Sequence, residues 1–191
     1  DSYNNWKWQG VWRVQEARII ENLLKDQILV RSEPMHIADI GCGTGFYLSK
    51  LAIAFQHSEI FGLDISRKML AVAKRATRRF GPRVRLLKAR ADETKLASCS
   101  SELILFCRVA NHIRDLPEAI REISRIACPG ATIIATDISA AHDYSCTRIP
   151  DRYGNRVSIE TYKHSLLDWR QSISVNRLDL REHLDIDCRE V

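Results

Sequence analysis

From Ile37 to Gly45 the chain reads Ile-Ala-Asp-Ile-Gly-Cys-Gly-Thr-Gly, and no other segment limits the fold as much. A short apolar run at residues 36–40 ends in glycines at every second position. Leu48, Leu51, Ala52 and Phe55 then recur at i, i+3, i+4 and i+7, the spacing of one helix face. Strand, tight turn and helix is the reading. Gly41, Gly43 and Gly45 let the backbone turn sharply and come close to a ligand where a Cβ would collide. A nucleotide-like ligand at the carboxyl end of a sheet is the physical implication. A dinucleotide site of the G-x-G-x-x-G kind needs its third glycine at position 46, where this chain has Phe46. The spacing here is G-x-G-x-G.

The same unit recurs downstream. Residues 59–64 repeat the strand signal, and Ser66 is placed to cap a helix that ends before Gly81. Residues 84–88 and 103–107 are two further strands, joined by a polar segment of weak helical character. Asp115, Pro117 and Glu118 form an N-terminal capping pattern for a helix through Ala127, after which Pro129-Gly130 breaks the chain. Residues 131–137 form a fifth apolar strand. Alternation of strand and helix over residues 36–137 predicts an α/β fold: a Rossmann-like, doubly wound, mostly parallel sheet with helices on both faces.

The flanks are less regular. Val14, Ala17, Ile20 (or Ile19) and Leu24 predict an amphipathic first helix over residues 11–24. After Asp137 come a polar stretch with Pro150, Gly154 and Asn155, then an alternating segment over residues 156–163. Ser165 with Asp168 is placed to cap a last short helix, and residues 175–184 are expected to return to the sheet as a sixth strand. We expect one domain over residues 1–191, with a helical cap (1–30), a ligand-binding core (36–137) and a substrate-side insertion (138–165).

Composition narrows the class. In 191 residues, 45% hydrophobic and 28% charged side chains are the balance of a globular protein. No apolar run approaches the roughly 18 residues of a membrane span, and residues 1–10 lack the order of a secretory signal, so a soluble, cytoplasmic protein is the expectation. The six cysteines include no C-x-x-C pair, so neither a metal site nor a disulfide framework is expected. A formal charge of +5 is spread thinly. Its densest stretch, Lys74, Arg75, Arg78 and Arg79, lies opposite Met69, Leu70, Ala73 and Ala76, as a solvated helix face would, which argues against nucleic acid as a partner.

The G-x-G-x-G turn, with Asp39 two residues ahead of it, resembles motif I of the class I S-adenosylmethionine (SAM)-dependent methyltransferases. Other pieces follow in the family's order. Asp64 ends the second strand about 20 residues later, where an acidic side chain accepts hydrogen bonds from both ribose hydroxyls. Ala91-Asp92 follows the third strand, where the resemblance implies that Asp92 holds the adenine amino group. Cys107-Arg-Val-Ala110 resembles the segment lining the methionine half of the ligand. Residues 5–16 and Tyr162-Lys-His-Ser165 resemble the branch that includes ubiquinone-type and natural-product methyltransferases. The family usually ends with a seventh, antiparallel strand, and none is recognisable here.

The resemblance implies SAM as cofactor, S-adenosylhomocysteine as product, and a small-molecule acceptor methylated on oxygen, nitrogen or carbon. The implied cofactor residues are Asp39, Gly41, Cys42, Gly43, Gly45, Asp64, Ile65, Ala91, Asp92 and Arg108. A methyl group on sulfonium sulfur is already electrophilic, so the protein mainly aligns an acceptor and excludes water. A hydroxyl acceptor gains from a general base, for which His112 and His164 are candidates. Trp8 and Trp12 are candidates for an aromatic lid, and Tyr144, Tyr153 and Tyr162 for the acceptor wall. Two rival readings stand beside this one: an RNA or protein methyltransferase, and a SAM-binding partner protein without catalysis. Arg108-Val-Ala-Asn111, in place of Asn/Asp-Pro-Pro-Tyr/Phe, argues against an amino-adenine methyltransferase.

Overall fold

Two apolar layers follow from the two-residue period of the strands. The computed structural model describes residues 7–30, 33–142, 146–150 and 155–185. Strands β1 (His36–Ile40), β2 (Glu59–Asp64), β3 (Val84–Lys88), β4 (Ser101–Cys107) and β5 (Ala127–Thr136) lie parallel in the order β3-β2-β1-β4-β5. Ile37, Leu103 and Leu105 enter one layer, and Ala38, Ile40, Ile104 and Phe106 the other. The first layer is closed by α1 (Lys7–Val30), α2 (Phe46–Ala54) and α3 (Arg67–Thr77), the second by α4 (Leu116–Ile126) and α5 (Leu166–Val175). This is the doubly wound, Rossmann-like sheet that the alternation predicts. Its strand order reverses between β1 and β4, and the crevice at their carboxyl ends is where such sheets bind ligands.

Local chemistry starts the helices where expected. The Ser66 hydroxyl accepts the Met69 N–H at 3.3 Å, and Asp115 accepts the Glu118 N–H at 3.2 Å. Ser165 and Asp168 form a reciprocal capping box, each side chain bonding the other's main chain. Beyond the main sheet, β6 (Cys146–Pro150) and β7 (Arg156–Glu160) pair antiparallel. The chain after this hairpin is strapped to the turn that follows β4, with the Tyr162 N–H on the Asn111 carbonyl at 2.8 Å.

Several expectations are corrected. The first helix is longer than residues 11–24; it buries Glu16, Ala17, Ile20 and Leu24 and leaves Val14 outside. Thr77 ends α3, a 3-10 turn (Arg78–Arg83) carries the chain past Gly81, and Ala76 is exposed because the buried face runs through Ala73 and Thr77. The segment between β3 and β4 holds no helix; it is pinned instead by the Thr94 N–H on Glu122 at 2.8 Å and by Arg125 on the Leu96 carbonyl at 2.7 Å. Pro129-Gly130 does not break the chain: β5 begins at Ala127 and bulges there, the register jumping from Ser101↔Ala127 to Leu103↔Thr132. No sixth strand forms over residues 175–184. The capping box carries α5 through Val175, Arg177 then turns with a φ of 58°, and Leu180 and Leu184 stay exposed. No described helix is long and apolar enough to cross a membrane.

Candidate functional site

The turn after β1 is laced to the end of β2. Gly41 and Cys42 both donate their N–H groups to the Leu63 carbonyl, at 2.7 and 2.8 Å. One residue on, the Gly43 N–H reaches Oδ2 of Asp64 at 2.9 Å, while Oδ1 takes the Ser66 N–H at 2.7 Å. The three glycines then divide by role. A Cβ on Gly41 would collide with Val109, and one on Gly45 (φ 85°) would lie 3.1 Å from the Ala73 Cα, so both let neighbouring elements pack closely. Gly43 has a φ of 54°, and a Cβ there would meet nothing nearer than the Gly41 carbonyl at 4.0 Å. That side of the turn is bare of packed protein atoms.

The acidic residues occupy different settings. Asp39 is buried at 2% exposure on the face of β1 that meets α2, and its Oδ2 has no hydrogen-bond partner among the described residues. Burial first, and then the nearby Asp64 carboxylate, push its pKa up to about 7. Burial also raises Asp64, against the opposing N–H bonds from Ser66 and Gly43. Asp92 is held below the usual carboxylate range by Arg90, whose Nε and Nη2 lie 2.7 and 2.5 Å from its oxygens. Ala91 packs against the second apolar layer. Cys42 is buried, its thiol pushed well up, and Ile65 is 63% exposed just past β2.

A buried polar cluster, of which the sequence pointed to Arg108 but not to Glu16, Tyr47 or Thr136, gathers at the carboxyl end of β4. Arg108 adopts a left-handed backbone (φ 57°) and donates its N–H to the Thr136 carbonyl at 2.8 Å. Its Nε lies 3.0 Å from Oε2 of Glu16, whose other oxygen accepts the Thr136 hydroxyl. Glu16 and Arg108 also bear on the Tyr47 hydroxyl, and Glu16 and Asp39 on the Cys107 thiol. A signal was available for Glu16: it sits beside Ala17 and four residues before Ile20, a charged residue on the apolar stripe of a helix. Asn111 and Asp137, also unforeseen, lie together on the other side, with burial raising Asp137.

The candidate bases separate. Partial desolvation of its ring lowers the His112 pKa, against a bond to the Glu160 main chain and the Asp64 carboxylate. The imidazole thus stands within electrostatic reach of the acid that holds the glycine turn. His164 instead places Nε2 3.2 Å from the Ala110 carbonyl and 2.8 Å from that of Ile113, as a donor tying the strap to the turn after β4. The Tyr162 hydroxyl donates to Glu160 at 2.8 Å, and its ring lies 5.6 Å from the Arg114 guanidinium. Tyr144 and Tyr153 lie outside the described residues, as do the side chains of Trp8 and Trp12 within α1.

Comparison with known proteins agrees with this geometry. A family model described as a methyltransferase domain matches residues 38–135. The O-methyltransferase cnsE of Penicillium expansum is 23% identical over 95% of this chain and 69% of its own length. The malonyl-[acyl-carrier protein] O-methyltransferase of Halorhodospira halophila is 29% identical over 65% of this chain, which spans only 44% of that relative. The crystal structure of the YcgJ protein from Bacillus subtilis aligns with a TM-score of 0.60 at 21% identity, over 82% of this chain and 68% of that one. A matched family model running from β1 into β5, on a sheet of this order with a glycine turn at its switch point, identifies the chain as a member of the class I SAM-dependent methyltransferases.

Proposed function

We propose that the chain binds SAM along the glycine turn and methylates a small organic acceptor on oxygen. The observation that carries this reading is the Gly43–Asp64 bond: it sets an open stretch of backbone beside a carboxylate at the end of β2. The residues present fit the ligand. A side chain at Gly43 would fill the cradle, and the unpartnered Asp39 oxygen is a buried acceptor that awaits a donor or a cation. Asp64 would accept the ribose hydroxyls, Ile65 would offer an apolar surface to the base, and Asp92 would take the adenine amino group. Arg108 would stand at the amino-acid end.

When bound, the cofactor supplies an electrophilic methyl group, so the chain's work is to hold, orient and dry the acceptor. His112, its pKa lowered, is neutral at pH 7 and able to take a hydroxyl proton. The strap that follows the β6–β7 hairpin walls the acceptor side, with His164 fixing it in place. Oxygen is favoured as the acceptor atom because the Penicillium expansum and Halorhodospira halophila relatives described above carry O-methyltransferase in their names. The thiols of Cys42, Cys99, Cys107 and Cys128, none of them in a disulfide, suit a reducing, cytoplasmic setting. A screen of hydroxyl- and carboxyl-bearing acceptors with methyl-labelled SAM tests the reading: label should pass to at least one, and the His112→Ala variant should lose most of that rate. Tight binding of SAM without transfer to any acceptor would favour a SAM-binding partner protein.

A further inference from the structure

We propose that Glu16 is a positioning residue for the amino-acid end of the ligand, holding Arg108 in the orientation in which its guanidinium receives an α-carboxylate. The inference rests on the SAM-binding reading above and adds to it a residue from outside the matched domain, on the first helix.

Three observations converge on this pair. Glu16 sits on the buried stripe of α1, with its side chain 3% exposed, and Arg108 is 19% exposed at the end of β4. Removing two charges from water is costly, and a packed apolar pair of similar volume is often as stable or more so. Second, Arg108 holds a left-handed backbone that a non-glycine residue adopts at a cost, at the one place where the strand order reverses. Third, the carboxylate is itself held, by the Thr136 hydroxyl on one oxygen, with the Tyr47 hydroxyl nearby. A strained backbone, a buried ion pair and a fixed carboxylate thus all serve to place one guanidinium beside the crevice. Part of the Arg108 side chain stays open, while the carboxylate is closed off.

The pair also joins two elements distant in sequence. Ala17, Ile20 and Leu24 pack α1 onto the first apolar layer, and Lys50 of α2 meets Glu21 at 2.5 Å on the surface. Glu21 attaches α1 without bearing on the site, and so provides a control.

The test uses calorimetric titration of the full chain with two probes: S-adenosylhomocysteine, and 5′-methylthioadenosine, which lacks the amino-acid end. Glu16→Gln keeps the shape and an acceptor for Thr136 but removes the charge. It should weaken S-adenosylhomocysteine binding by about tenfold or more and leave 5′-methylthioadenosine binding unchanged within about twofold. With an acceptor in hand, KM for SAM should rise while kcat at saturation is kept. Arg108→Met should show the same selective loss, and the double variant should add little to either single one. Glu21→Gln should bind both probes as the parent does. Equal loss of both probes would make Glu16 merely structural, and unchanged binding of both would also overturn the proposal. Should Glu16→Gln fail to fold, Arg108→Lys, which keeps the charge but not the guanidinium fork, must show the selective loss or the proposal fails. A parent chain that binds neither probe would sink the SAM reading itself, and this proposal with it; a parent that binds both, with variants that bind equally well, sinks only the latter.

Discussion

Gly43 donates its main-chain N–H to Oδ2 of Asp64 at 2.9 Å, so the side chain that ends β2 holds the turn that ends β1. The second oxygen is committed to Ser66, at the start of α3. Asp64 therefore serves the fold and the proposed ribose site together. Asp64→Ala, which strands two N–H donors, should cost about 1–3 kcal/mol in urea unfolding. Asp64→Asn keeps one acceptor oxygen and should cost less, while both variants lose affinity for S-adenosylhomocysteine. An Asp64→Ala chain that binds the ligand as the parent does would separate the two roles.

Gly43 and Gly45 should respond oppositely to alanine. At Gly45 a Cβ meets the α3 backbone 3.1 Å away at Ala73 on top of a left-handed φ, and Gly45→Ala should lose about 2–4 kcal/mol of stability. Gly43→Ala pays only for its backbone angle, about 1 kcal/mol, because its open side holds no protein atom in contact. Its loss should appear in ligand affinity instead. Thermal melting beside calorimetry reads both.

Asp39 sets a pH dependence of stability. Its folded pKa, about 7, lies above the unfolded value of 3.8. The folded state therefore favours the protonated acid; that stabilisation is fully present below pH 3.8 and is lost as pH rises through about 7. Asp64 and Asp137 are also raised and act in the same sense, whereas His112, lowered, loses stability as pH falls. Comparing urea unfolding of the parent with Asp39→Asn isolates the one group: the parent's relative stability should decline from about pH 4 to about pH 7 and then level. A flat difference would contradict the buried, unpartnered carboxyl.

The two histidines should divide by readout. His164→Ala removes the donor shared by the Ala110 and Ile113 carbonyls and should cost about 1–2 kcal/mol in unfolding. His112→Ala gives up its bond to the Glu160 main chain, at a cost of about 1 kcal/mol, and should lower kcat for a hydroxyl acceptor by roughly 100-fold. Equal effects of both on kcat, at equal stability, would reassign the base.

What could be read in advance was what is local or periodic. Ser66, Asp115 and Ser165 each bond the residue three places on, and that chemistry is complete within one turn of chain. The alternation of Ile37, Ala38, Leu103 and Ile104 between two layers likewise follows from strand geometry alone. What depended on distant partners was not legible. The alternating apolar residues over 156–163 became β7 only by pairing with β6, and the expected strand at 175–184 yielded to a capped helix and a left-handed turn at Arg177. In the site, the glycines pointed to a ligand, but their partners, Val109 for Gly41 and Ala73 for Gly45, show that two of them also answer to packing. The Glu16–Arg108 pair joins α1 to the end of β4, and only the fold brings them together.

The most direct test of the central claim, that the Gly43 backbone and the Asp64 carboxylate form a SAM cradle, is calorimetric titration of the parent and Gly43→Val chains with S-adenosylhomocysteine. One site per chain with micromolar affinity, abolished in a Gly43→Val chain that still unfolds cooperatively, is the predicted result. Failure of the parent to retain either SAM or its demethylated product at millimolar concentration, or undiminished binding by Gly43→Val, would contradict it.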